Sequence, residues 1–261
     1  MDECECREMI RACAANDVKL MTAYRLHFEQ ANLEAIKLVQ SGKIGEPRYF
    51  NSTFSMQVKA GIRTSREKGG GTLYDIGIYC INAARYLFQS NPQNVFAFST
   101  MGKDKRFHEV DEMTAATLRF PGKRLASFTC SFGAADTAAY EVIGTRGTLR
   151  VTQAYEFSEP MKMEVTVGDQ TTRRTFAKRD QFSPEIIYFS DCILKDRQPE
   201  PSGCEGLVDV HVIRSLYESA RAGRAVCLER FPRRSHPSLR LEIHRPAQKP
   251  LQMVHTESPN E

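Results

Sequence analysis

Apolar residues follow two rhythms along this chain, and the change from one to the other divides it. Over residues 3–15, Ile10, Cys13 and Ala14 form an apolar stripe behind an acidic first turn, which predicts a helix that Asn16-Asp17 ends. Val18 to Tyr24 (VKLMTAY) is short and mostly apolar, as a buried parallel strand is. Residues 30–41 return to helical spacing, with Leu33, Ile36, Leu38 and Val39 on the core side and Gly42 as C-cap. Helix, strand and helix in that order predict the end of a doubly wound α/β unit.

The middle changes character. Residues 47–58 read as a strand, and Gly69-Gly70-Gly71 then opens the clearest helix in the chain. Leu73, Ile76, Gly77, Cys80, Ile81, Ala84, Leu87 and Phe88 repeat at i, i+3, i+4 and i+7. After Pro92 the period becomes two. Ala126, Phe128, Cys130 and Phe132 alternate with Ser127, Thr129 and Ser131, and Met161, Met163, Val165 and Val167 alternate with Lys162, Glu164 and Thr166. Residues 93–100, 112–120, 138–143 and 147–152 add further strands, with Gly144-Thr145-Arg146-Gly147 as a hairpin turn. Such alternation predicts an antiparallel sheet with one face buried and the other polar or facing a partner. Helices follow at about 182–196 and 204–222, the second ending near Gly223. Residues 230–261 hold five of the twelve prolines and the basic set Arg230, Arg233, Arg234, Arg240, Arg245 and Lys249, which reads as an extended arm or a loose tail.

Composition narrows the class. Thirty-six basic against 32 acidic residues give a net charge of +4, too mild to indicate a nucleic-acid partner. No apolar run approaches the roughly 20 residues that span a bilayer, and residues 2–8 (DECECRE) do not open a signal peptide. The eight cysteines are scattered without a CxxC pair, so the expectation is reduced thiols in a cytoplasmic protein. The six histidines are isolated, and no metal site is expected.

Candidate chemistry sits in GGGTLYDIGIYCINAARYL, residues 69–87. Opposite the apolar side, Asp75, Tyr79, Asn82 and Tyr86 are spaced i, i+4, i+7 and i+11. A carboxylate one turn from a phenol is a plausible proton-handling pair, and a Gly-rich lead-in admits a ligand or another backbone. The same stripe is also what an ordinary solvated face looks like.

This segment resembles the signature helix of the Gfo/Idh/MocA oxidoreductases, the glucose–fructose oxidoreductase and inositol dehydrogenase family. MTAYRLHFEQANLEAIKLVQSGKIGEP (21–47) resembles the segment joining that family's nucleotide domain to its second domain. GTRGTLRV (144–151) resembles a turn in its sheet, and ESARAGRAV (218–226) its last helix. Within that family Tyr79 fits the glucose–fructose oxidoreductase branch, whereas many other relatives carry histidine at that place. The resemblance implies an α+β fold: an open, largely antiparallel sheet domain with flanking helices over 29–229, a remnant of a doubly wound nucleotide-binding domain over 1–28, and a tail over 230–261. It implies an NAD- or NADP-dependent oxidoreductase acting on a sugar or polyol, assembled as a homo-oligomer through the sheet face. It implies that Tyr79 is the acid/base and that Asp75 orients substrate and acid. Tyr24 and Arg25 would line the cofactor side, and Arg63 and Arg66 would hold cofactor or substrate.

The departure from that pattern is at the front. No GxGxxG appears, and Met1-Asp2-Glu3 falls just after the point where the family's Glu-Lys-Pro motif, with its catalytic lysine, would end. The expectation is a chain that lacks the nucleotide module and is inactive alone. The competing expectations are a non-catalytic binding or oligomerisation protein built on the sheet domain, or a non-functional fragment.

Overall fold

The computed structural model of the chain describes residues 2–231 and 237–247. Nine strands form one sheet: β1 (Pro47–Ser55), β2 (Asn94–Thr100), β3 (Met113–Phe120), β4 (Arg124–Ser131), β5 (Thr137–Gly144), β6 (Gly147–Thr152), β7 (Met161–Val167), β8 (Gln170–Phe176) and β9 (Val226–Cys227). Their order is β8-β7-β6-β5-β1-β4-β3-β2-β9. Every neighbouring pair is antiparallel except β1 and β4, which run parallel.

Alternation places the core. In β3, Thr114, Ala116, Leu118 and Phe120 are buried while Met113, Ala115, Thr117 and Arg119 face out. The inner face continues through Phe50, Phe54, Phe128, Tyr140, Val142, Leu149 and Met163. It is covered by α2 (Gln30–Gln40), α3 (Ile78–Phe88) and α5 (Gly203–Ala222). Each fully buried Phe, Leu, Val or Met of this face contributes about 1.5–3 kcal/mol. The helices α1 (Glu3–Ala15) and α4 (Ser183–Leu194) lie outside it. α1 docks on α5 through a small cluster of Cys6, Leu207 and Val210, with Ile10 and Phe231 packed against it. His211 accepts from the Glu229 backbone N–H, which leaves its other ring nitrogen to donate to Glu3 at 2.9 Å and tie α1 down. No helix among the described residues is long and apolar enough to cross a membrane.

Several expectations are corrected. Val18–Tyr24 is not a sheet strand: it has no parallel neighbour, makes a single antiparallel bridge from Met21 to Ser202, and leaves Val18 exposed. It is held instead by Thr22, whose N–H donates to Pro201 O and whose hydroxyl donates to Ser202 O. The first strand stops at Ser55, not at 58. β8 and β9 carry no apolar alternation: six of the seven β8 residues are exposed, and β9 is two residues long. Part of the arm lies back on its own chain, with Arg179 paired to Glu242 at 2.7 Å and bridged to Pro246. Arg233, Arg234 and Lys249 lie outside the described residues.

Candidate active site

The helix carrying Asp75 and Tyr79 does not begin as an α-helix. Leu73–Gly77 forms a π-helical turn whose Ile78 N–H reaches back to Leu73 O. Gly77 permits it, because a Cβ there would lie 3.0 Å from the Leu73 side chain and 3.3 Å from Cys130 Sγ. The turn's first N–H groups are already claimed. Asp111, buried, accepts from Thr72 N at 3.2 Å, from the Thr72 hydroxyl, and from Tyr217 and Thr114 at 2.9 and 3.0 Å. A carboxylate at that end also suits the helix dipole.

The glycines before it serve the chain's own backbone. A Cβ on Gly70 would meet Arg63 O at 2.4 Å and Ile62 O at 2.6 Å. This close approach folds the loop so that Arg63 Nε donates to Asp75 Oδ2 at 2.7 Å. Arg66, three residues on, instead bonds Glu109 from its N–H and Nε and does not line the cavity.

Asp75 and Tyr79 share a cavity of about 280 Å³ with Tyr24, Arg25, Asn82 and Tyr86. The stripe is therefore not a solvated face. Asn82 and Tyr86 are buried, and Asp75 and Tyr79 half-buried. Arg25 Nε donates to the Tyr79 hydroxyl at 3.3 Å, and its guanidinium sits 5.0 Å from the Tyr79 ring centre. Arg25 is itself fixed by Gln181 Oε1 and Tyr155 O, far along the chain. A guanidinium has no acceptor, so the Tyr79 hydrogen must point away from Arg25. Phe54 and Tyr155 pack on the Tyr79 ring at 5.5 and 5.8 Å.

Tyr24 is placed for support rather than proton transfer. Its hydroxyl donates to Asp209 Oδ2 at 2.6 Å, and burial followed by the Asp209 charge pushes its pKa well up. Burial likewise raises Tyr86, Tyr140 and Tyr155, which also line the cavity. Asp209 also accepts from Asn82 Nδ2 at 2.6 Å and from Arg85, whose other terminal nitrogen reaches Glu205 at 2.6 Å. Burial opposes the charge on Arg85, but Asp209 and Glu205 outweigh it and hold the guanidinium protonated. Asp209, Gln181 and Tyr155 are not evident from the sequence as site residues. Asp209 alone leaves a signal, as a carboxylate between Val208 and Val210 on a largely apolar helix.

The pyrophosphate of a nicotinamide dinucleotide needs free backbone N–H groups at a helix start. Three glycines at the starts of α5 and of the π turn are filled by the chain itself. A Cβ on Gly203 would lie 2.4 Å from Leu20, on Gly206 2.8 Å from Thr22, and on Gly71 2.7 Å from the Tyr217 hydroxyl. These residues do not fit the phosphate half of such a cofactor. They can bind a small molecule, orient it and move a proton.

An open sheet of this order carries an Asp-x-x-x-Tyr helix over a shared cavity. The sequence profile of the GFO/IDH/MocA C-terminal domain matches residues 32–150. The crystal structure of aldose-aldose oxidoreductase from Caulobacter crescentus, complexed with glycerol, is 35% identical, with a TM-score of 0.82 over 87% of this chain and 69% of that one. The chain belongs to the Gfo/Idh/MocA family. It is also 32% identical over 228 residues to D-xylose 1-dehydrogenase [NADP(+)] of Haloarcula marismortui, and 34% identical over 149 residues to trans-1,2-dihydrobenzene-1,2-diol dehydrogenase of Danio rerio. Those matches cover 85% and 56% of this chain. The chain spans 63% of the length of the first relative and 43% of the second.

Proposed function

We propose that this chain forms the substrate side of an NAD- or NADP-linked oxidoreductase acting on a sugar or polyol hydroxyl or carbonyl. The observation that carries the reading is Tyr79: its hydroxyl is held by a buried arginine, in a cavity that Asp75 also lines, while Arg63 pairs with Asp75 without lining the cavity itself. Because Arg25 occupies a lone pair of that hydroxyl, Tyr79 is set to donate its hydrogen to a substrate oxygen and take it back in the reverse direction. Asp75, fixed by Arg63, accepts from a second substrate hydroxyl and sets the approach to Tyr79. The family's cofactor supplies hydride chemistry. The NADP-linked name of the Haloarcula relative and the aldose-linked name of the Caulobacter structure support this class. The domain limits of 1–28, 29–229 and 230–261, a cytoplasmic setting and a subunit interface on the outer sheet face belong to the same reading.

The test joins the chain to the nucleotide-binding module of the Haloarcula relative and measures turnover of D-xylose and other aldoses. Tyr79→Phe keeps the ring and its packing and is expected to lower kcat by roughly 10²–10⁴-fold, the usual share of acid–base catalysis. Tyr49→Phe, on the outer sheet face away from the cavity, is the control. Equal losses in the two variants would remove Tyr79 from the reaction.

A further inference from the structure

The described part of the molecule contains two strongly buried arginines, and it treats them differently. Arg85 is sandwiched between Glu205 and Asp209. Arg25, 7% exposed, forms no ion pair among the described residues. Its acceptors are a phenol, a side-chain amide and a backbone carbonyl, all neutral. Even the half-buried Arg63 has its carboxylate in Asp75.

A buried charge without a counter-charge is costly, and hydrogen bonds to neutral groups only partly offset it. The carboxyls that feel Arg25 do not close the gap. Neither Glu156 nor Glu185 forms an ion pair with Arg25 among the described residues, and burial raises the pKa of both against its pull. Three of the five guanidinium N–H groups are used, which leaves one on each terminal nitrogen. Arg25 lines the same cavity as Tyr79 and Asp75.

We propose that the cavity is built for an anionic substrate, a sugar acid such as an aldonate or uronate, whose carboxylate pairs with Arg25. This rests on the reading of the cavity as the substrate site of a sugar oxidoreductase and narrows it. A carboxylate matches guanidinium N–H groups in charge and planarity. Arg25 Nε touches the Tyr79 hydroxyl, so the bound carboxylate lies one guanidinium away from the proton carrier. That spacing suits a carbinol close to a carboxylate in one small molecule. A dinucleotide phosphate is the other source of negative charge, but the pyrophosphate stands a ribose away from the reacting nicotinamide.

The test uses the chain as it is, with ligands compared in matched pairs by isothermal titration calorimetry: D-gluconate against D-glucitol, and D-glucuronate against D-glucose. Inorganic pyrophosphate serves as competitor. The acids are expected to bind at least about tenfold more tightly than their neutral partners. Arg25→Gln is expected to abolish that preference while Tyr79→Phe retains it, and pyrophosphate to compete poorly. If Arg25→Gln fails to fold by circular dichroism, the wild-type ratio decides. Neutral ligands binding as tightly as the acids would overturn the inference and leave the sugar-oxidoreductase reading standing. Pyrophosphate displacing gluconate more effectively than glucuronate does would assign Arg25 to a phosphate and overturn it as well. Silence from all four sugars would remove the sugar site and the inference together.

Discussion

Asp75 and Tyr79 lie one helical turn apart but answer to different cations, Arg63 for the acid and Arg25 for the phenol. The acid–phenol spacing can be read from the sequence, because i and i+4 share a helix face. Their partners cannot all be read that way. Arg63 is twelve residues from Asp75, but Arg25 is 54 from Tyr79 and 156 from Gln181, and no local pattern encodes such pairings. The carboxyl of Glu185 shows what burial in this region does at single-residue scale. Burial raises its pKa from 4.5 to about 7, and the charge of Arg25 only partly opposes this. Between those values the folded state holds more protons than the unfolded state. Stability is thus fully present below the unfolded value and is lost as pH rises through the folded one. Glu185→Gln stays neutral throughout. Relative to wild type it is expected to gain roughly 1–3 kcal/mol more above about pH 8 than below about pH 4, read by urea unfolding. A difference independent of pH would show that Glu185 titrates normally.

At the scale of elements, the loop from Gly61 to Gly71 and the π turn after it act as one piece, because Gly71 N–H bonds Arg63 O and Gly70 N–H bonds Ser65 O. Gly70→Ala forces a Cβ against two backbone carbonyls that cannot swing aside. The expected cost is about 1–3 kcal/mol, the range for overpacking, together with weaker sugar binding as Arg63 moves off Asp75. Gly69→Ala meets open space but sits at φ +81°, and is expected to cost only about 1 kcal/mol with binding intact. Thermal unfolding and calorimetry of the two variants separate these outcomes, and equal behaviour would mean the loop does not position Arg63. The same scale shows where pattern reading holds and where it stops. β3, β4 and β7 are legible because each buries one face. β8 (QTTRRTF) is not, because it pairs with β7 through backbone bonds while all its side chains except Phe176 stay in solvent. Val18–Tyr24 misleads for the opposite reason: its apolar side chains partly pack against the start of α5, where Leu20 lies against Gly203, with a single bridge at Met21 and no strand beside it.

For the whole molecule, one face of the sheet is covered and the other is bare. Along β2, β3, β4 and β5 the outward positions include Phe98 (63% exposed), Met113 (39%), Leu125 (44%) and Ile143 (37%). Register ties part of this set together, because Tyr49 of β1 pairs with both Leu125 and Ile143. Phe96 and Phe98 add an edge-to-face pair at 4.9 Å. These apolar positions sit among polar ones such as Asn51, Thr117 and Arg119, and a second copy of the same sheet would bury them without any new element. Leu125 is the best position to test this, because β4 lies between β1 and β3 and the side chain points away from the core. Leu125→Asp leaves the inner face untouched but places a carboxylate at the centre of the proposed interface, where it would be buried unpaired on association. Sedimentation velocity is expected to show a dimer or larger for the wild type and a monomer for Leu125→Asp, with unchanged circular dichroism. Two outcomes would remove the sheet face as the subunit interface: a wild-type monomer at high concentration, or a variant that assembles as the wild type does.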